Sequence, residues 1–167
     1  MILAGTLVFA LQHELRPRAT SQAAPEMSPR PEPRALTAEE ESYAASLWEI
    51  HREVTPSAVA MSFAGIVYET ETHDARQLEQ KIVPIARFFG DAERRVGGLA
   101  VPASLSKAHG QYLGAMVLYR KASDEMLAFT KDGGRQHLID AQGMGLNASE
   151  DILRAGEVLW PGQYKPH

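Results

Sequence analysis

The residues of this chain with the most obvious chemical potential are its six histidines. Imidazole binds haem iron and divalent metals and exchanges protons near neutral pH. Three of the histidines, His51, His109 and His137, lie in different apolar stretches, and helices could bring them together beside Met116 or Met126. They are weak candidates, because the Glu-x-x-His pairs of ferritin-like metal bundles do not occur. We expect surface or hydrogen-bonded core histidines, no metal site and no bound cofactor.

No sequence motif indicates catalysis. Cysteine does not occur, which excludes a thiol nucleophile, a thiolate metal site and covalently attached c-type haem. No serine lies in a nucleophile elbow, and no lysine follows a phosphate-binding glycine loop. We therefore expect a protein that is not an enzyme.

The composition is that of an ordinary globular protein. Hydrophobic residues make up 44% and charged residues 23% of the 167 residues. The 17 lysines and arginines against 21 aspartates and glutamates give a net charge of -4, without the basic excess that binds phosphate backbones. Nucleic acid is not an expected partner.

Apolar periodicity predicts an all-α fold, an antiparallel bundle of about four to five helices over residues 37–160. Thr37 and Glu40 form a Thr-x-x-Glu capping box, so a helix should begin near Ala38. Its inward face recurs at spacings of four, three and four residues, as a helix requires: Tyr43, Leu47, Ile50 and Val54. Thr55-Pro56 predicts either a restart or a kink of this helix.

The next segments are predicted in the same way. Residues 58–68 are apolar on nearly all sides, which is typical of a central buried helix. Residues 69–74 are acidic and should connect two antiparallel helices. The second helix should present Leu78, Ile82, Ile85 and Phe89, with a kink at Pro84 and a left-handed glycine end at Gly97-Gly98.

The most regular pattern follows in two sets of heptad positions, which predict a bundle helix that Gly133-Gly134 ends. One set holds large residues and the other holds three alanines and a phenylalanine: Leu105, Tyr112, Tyr119 and Met126, interleaved with Ala108, Ala115, Ala122 and Phe129. Beyond it we expect a short helix over residues 135–142, a glycine stop at residues 143–145, and a last helix capped by Asn147 with Ile152, Leu153, Val158 and Leu159 inward.

The N-terminal 1–15 segment is apolar up to Leu11, and a helix of its ten or so residues, about 15 Å long, could not cross a bilayer core of about 30 Å. An export signal, a shallow retained anchor and a segment docked against other chains all fit it. Basic residues follow the apolar stretch instead of preceding it, which favours the retained anchor. Residues 16–36 are rich in proline and arginine and predict an extended tether, either a flexible spacer or a segment that a partner holds.

The C-terminal tail spans residues 161–167. The sequence Trp160-Pro161-Gly162, at its start, should end the last helix. Trp160 and Tyr164 are large aromatics of the kind that anchor contacts. One interpretation has Trp160 closing its own bundle, and the other has it docking onto a partner.

These features together lead to a functional hypothesis. We expect an accessory or scaffolding subunit on a membrane or a membrane complex, as respiratory and photosynthetic assemblies contain, on the extracytoplasmic side. Its partners would be other protein subunits and the membrane surface. The residues expected to make these contacts are Leu7, Phe9, Leu11, Arg16, Arg18, Arg30, Arg34, Trp160 and Tyr164. The alternative is a membrane-tethered ligand-binding or sensor bundle with haem or a metal.

Overall fold

A computed structural model describes residues 34–161, and these form an antiparallel all-α bundle of four long helices. Helix α1 spans Ala38–Val67 and continues into a π-helical turn, Tyr68–Thr72. Helix α2 spans Ala75–Gly97, and a 3-10 turn, Ala103–Leu105, leads into α3, Ser106–Asp132. Helix α4 spans Arg135–Leu159. The predicted anchor, most of the tether and nearly all of the tail lie outside the described residues.

The start of α1 follows directly from its sequence. The Thr37 hydroxyl accepts the Glu40 backbone N–H at 3.3 Å, and the Glu40 carboxylate accepts the Thr37 N–H at 2.7 Å. Glu39, Glu40 and Glu41 all lie in the first turn, where the positive end of the helix dipole favours them. The predicted capping box is therefore confirmed.

Helix α3 is the centre of the bundle and packs along both α2 and α4. Every residue of its two predicted heptad sets is buried. Small residues let α4 approach α3 closely, since Ala115 and Ala122 of α3 and Ala141 and Ala148 of α4 are all buried. Aromatic side chains link α2 to α3, where Phe89 stacks on Tyr119 with ring centroids 4.8 Å apart.

The structure bears on two predictions about where helices are interrupted. Of the two alternatives at Thr55-Pro56, the restart is wrong, because α1 runs through Pro56, and the kink stays a prediction. Helix α4 runs unbroken through residues 143–147, so the glycine stop and the Asn147 cap were wrong. Burial of Ala141 and Ala148 against the bundle, on either side of the glycines, outweighs the local tendency of these residues to end a helix.

The helix ends show a further difference. Gly133 takes the expected left-handed conformation at φ 71°, and its N–H donates to the Phe129 carbonyl. Gly98 caps α2 at φ -89°, which any residue can adopt, so the predicted left-handed end of α2 is wrong.

Burial also departs from the sequence pattern on two helix faces. The segment 58–68, predicted to be a central buried helix, buries Met61 and Ala64 but leaves Val59, Phe63 and Ile66 more than half exposed. In α4, Ile152 and Leu159 face inward as predicted, whereas Leu153 and Val158 are about half exposed. Periodicity could not assign these faces, because the segments are apolar on too many sides.

Candidate functional site

Two tyrosine–histidine pairs tie α1 to α3 inside the bundle. The Tyr43 hydroxyl lies 2.8 Å from His109 Nδ1, and the Tyr112 hydroxyl lies 3.0 Å from His51 Nδ1. One helix thus supplies the tyrosine of one pair and the histidine of the other. Burial raises the pKa of Tyr43 to about 12 and lowers the pKa of His109, so both side chains are neutral near pH 7.

His51 is the most enclosed of the histidines in the described chain. It is 4% exposed and packs against Trp160, with ring centroids 4.8 Å apart, and against Trp48 at 5.3 Å. The Trp160 indole N–H donates to the Ala44 carbonyl at 3.3 Å. Burial lowers the pKa of His51 to about 4, so this imidazole is a neutral member of a packed aromatic cluster.

Trp160 therefore lies inside the bundle, as the first of its two interpretations expected, and is 8% exposed. Its role in binding a partner stays a prediction, as does that of Tyr164, which lies outside the described residues.

His137 lies near the opposite end of α3 from this cluster. Its Nδ1 is 2.5 Å from a Glu125 carboxylate oxygen and its Nε2 is 3.1 Å from Asp132. Hydrogen bonds to Glu125 and then Asp132 raise the pKa of His137. His51 bonds Tyr112 of α3, and His109 lies on α3 one turn before Tyr112, so these two histidines are near each other. His137 lies near the other end of α3 and does not join them. Residues 34–161 contain no group of three or more His, Asp or Glu side chains placed to hold a metal ion.

Arg34 is the last of the predicted contact arginines and the only one within the described range. Its guanidinium donates to both carboxylate oxygens of Glu40, at 2.6 and 3.0 Å, and Ser104 donates to the same carboxylate at 2.5 Å. These bonds hold the pKa of Glu40 well below its usual range. Leu7, Phe9, Leu11, Arg16, Arg18 and Arg30 lie outside the described residues.

The polar groups buried within residues 34–161 are engaged in hydrogen bonds. Every buried side-chain nitrogen and oxygen in this part of the chain has a hydrogen-bond partner. The best-formed concavity is an open groove of about 610 Å³ between α2 and α3, lined by arginine and acidic side chains. Arg120 there bonds Glu93 and Asp124, and Arg94 bonds Asp91, so these charges are already paired.

The most unusual surface feature is a set of exposed apolar residues on α1 and α4. Phe63 is 63% exposed, and Ile139 and Leu146 are each 60% exposed. Extended apolar surface of this kind favours association with another apolar surface. We define the apolar strip as Trp48, Val59, Phe63 and Ile66 of α1 with Ile139, Leu146 and Leu153 of α4.

Helical spacing places the strip on one side of each helix. Ile139, Leu146 and Leu153 follow one another at intervals of seven residues, and Trp160 continues the series. On α1, Ile66 is seven residues from Val59 and eighteen from Trp48. Both intervals are close to a whole number of helical turns, so the three side chains lie on the same side of α1. The two rows meet at one end, where the rings of Trp48 and Trp160 are 5.1 Å apart. Both rows therefore border the same junction between α1 and α4.

Three contacts set the register of these antiparallel helices. The Trp160 indole reaches Ala44, Gly145 faces the end of the Met61 side chain, and Arg135 pairs with Glu69 at 3.1 Å. By this register Ile139 lies level with Ile66. Leu146 likewise lies level with Val59. The two rows therefore run level with each other along α1 and α4.

The middle of the strip carries no charge. Residues 55–68, which run from α1 into the first residue of the π-helical turn, contain no charged side chain, and neither do residues 141–149 of α4. Ser62 on this side of α1 donates to the Ala58 carbonyl at 3.1 Å. Ser149 of α4 donates to the Gly145 carbonyl at 3.0 Å, and its oxygen lies 2.8 Å from the Tyr119 hydroxyl of α3. The middle of the strip is thus uncharged, and these two hydroxyls are hydrogen-bonded.

Sequence reasoning missed this surface, because it assigned residues 58–68 to the core and interrupted α4 at residues 143–147. The charge-free stretches at residues 55–68 and 141–149 were the available signal. They cannot by themselves distinguish a buried helix from an exposed docking face.

No family model matches this chain, and no curated protein or solved structure is significantly similar to it. No helix among residues 34–161 has the length and apolar character needed to cross a bilayer.

Proposed function

We propose that this chain is a non-catalytic accessory or scaffolding subunit attached to a membrane or a membrane protein complex. In this proposal the bundle docks onto another subunit through the apolar strip, while the N-terminal segment and the C-terminal tail make further attachments. The exposure of the strip carries the proposal. Its seven large apolar side chains are each 36–63% exposed, and extended exposed apolar surfaces mark interaction sites.

Two further observations support a binding role over a catalytic one. The titratable groups in the described interior are engaged in pairs, such as Tyr43 with His109 and Glu40 with Arg34. These pairs join α1 to the start of α3 and to the residues before α1, which is a structural use. They stiffen the bundle and so keep the two rows of the strip in a fixed arrangement.

The attachment is tested in native membranes solubilised with a mild detergent and separated by size. The wild-type chain should migrate in a large complex. Replacing Phe63 and Leu146 by serine should release most of the chain as a smaller species, because the apolar contacts of the strip are lost while the net charge is unchanged. Val158→Ser is the matched control, since Val158 is exposed on α4 but lies outside the strip.

The proposal is contradicted if the wild-type chain migrates alone, or if the strip variant stays in the complex as well as the control does. Circular dichroism of the purified variants checks that each remains helical, which the exposure of the substituted residues leads us to expect.

A further inference from the structure

We infer that the partner of the apolar strip is an α-helix of another protein whose uncharged apolar stretch is flanked by basic residues. This inference rests on the proposed docking role of the strip and specifies the chemistry of the docked element. Spacing, length and charge of the described residues carry it.

The spacing of the strip matches the side of a helix. Ile139, Leu146 and Leu153 repeat every seven residues, and Val59, Phe63 and Ile66 are four and three residues apart. Exposed apolar residues with this periodicity pack as knobs against a helix lying along the junction. Gly143 lies beside the α4 row, one turn after Ile139, and a Cβ built on it would meet no atom within 4 Å. A third helix can therefore approach the backbone of α4 closely.

The length of the uncharged region sets the length of the partner stretch. Residues 55–68 cover about 20 Å of α1 and residues 141–149 about 13 Å of α4, at about 1.5 Å per residue. A charge on the partner within the length that both stretches share would lose its water without gaining an opposite charge. The docked helix should therefore be free of charged residues over about two to three turns.

Beyond this uncharged region the same helices are strongly acidic. Helix α1, the π-helical turn and α4 carry eleven acidic residues against three arginines. The acidic residues are Glu39, Glu40, Glu41, Glu49, Glu53, Glu69, Glu71, Asp140, Glu150, Asp151 and Glu157, and the arginines are Arg52, Arg135 and Arg154. Helices α2 and α3 have the opposite balance, with nine lysines and arginines against six acidic residues. The helices that carry the strip thus hold the acidic excess of residues 34–161.

This charge distribution selects among possible occupants. Docking of two strips in a homodimer would bring two acidic pairs of helices together, and like charges facing each other oppose association. An anionic lipid surface would meet the same repulsion. A helix with basic residues beyond its apolar stretch complements both the strip and its surroundings.

Binding of synthetic peptides to the full chain tests the inference. Two helical peptides share one core of about fourteen alanines and leucines at heptad spacing, matched to the strip, and differ only in flanking pairs of lysines or of glutamates. Fluorescence anisotropy should show the lysine-flanked peptide binding at least about tenfold more tightly at low salt, with the difference shrinking as salt screens the charges. Phe63→Ser with Leu146→Ser should weaken that binding, and Val158→Ser should not.

Equal binding of the two peptides, or binding that the strip variant leaves unchanged, overturns the inference. So does a dimer of the wild-type chain in sedimentation that the strip variant dissociates, since a second copy would then occupy the strip. Strip-dependent co-sedimentation with anionic lipid vesicles overturns it as well. If the wild-type chain migrates alone after detergent solubilisation but still prefers the lysine-flanked peptide, only the subunit proposal is contradicted.

Discussion

His51 is the residue whose chemistry most directly links packing to stability. Its imidazole is neutral when folded, with a pKa lowered by burial to about 4, whereas an unfolded histidine has a pKa near 6.5. The unfolded state therefore binds a proton between these values that the folded state does not, and stability falls as the pH falls through this window.

The predicted effect is a loss of up to about 3 kcal/mol of unfolding free energy between pH 7 and pH 4 from His51 alone. Urea unfolding at a series of pH values measures it. In His51→Gln the dependence on pH should be shallower by that amount. Parallel slopes for the wild type and His51→Gln would contradict the assignment.

His137 should show the opposite behaviour. Its bonds to Glu125 and Asp132 raise its pKa, so its contribution to stability is complete below the unfolded value near 6.5 and is lost as the pH rises through the raised value. Titration of the histidine ring signals by NMR should place His137 above the ordinary value, and Glu125→Gln should lower it. A midpoint at or below the ordinary value would show that these contacts do not form in solution.

The two glycine sites of α4 and of the turn before it should respond oppositely to alanine. Gly143 lies within α4, and a Cβ there would meet no atom within 4 Å. Gly143→Ala should therefore stabilise the bundle by about 0.5–1 kcal/mol. Gly133 has φ 71°, so Gly133→Ala should destabilise it by about 1–2 kcal/mol. Thermal unfolding of both variants measures the difference, and a destabilising Gly143→Ala would mean that α4 is broken there.

Local signals predicted the helices well where packing agreed with them. The capping box at Thr37 and the stop at Gly133 formed as expected because nothing in the bundle opposes them. Asn147 has the same kind of signal but lies within α4. Its neighbours Ala141 and Ala148 are buried against the bundle, and a continuous helix is needed to bury both. A single sequence does not report such long-range packing.

At the scale of the whole bundle, the sequence indicated the packed interior but not the exposed apolar strip. The all-α fold and the buried heptads of α3 could be predicted, since their periodicity is long and regular. The candidate site could not, because it depends on which side of α1 faces solvent and on how α1 and α4 align. Phe63 and Leu146 meet the requirements of a core residue by type, and only the arrangement of the helices leaves them outside.

The placement of a photoreactive amino acid in the strip tests the central claim most directly. With benzoylphenylalanine at position 63 or 146 of the full chain in its native cells, ultraviolet light should produce a cross-link to one discrete partner. Mass spectrometry should locate the cross-link in an apolar helix with basic flanks, and the same group at position 158 should give none. Cross-links at all three positions alike, or no cross-link at positions 63 and 146, would contradict the assignment of the apolar strip as a docking surface.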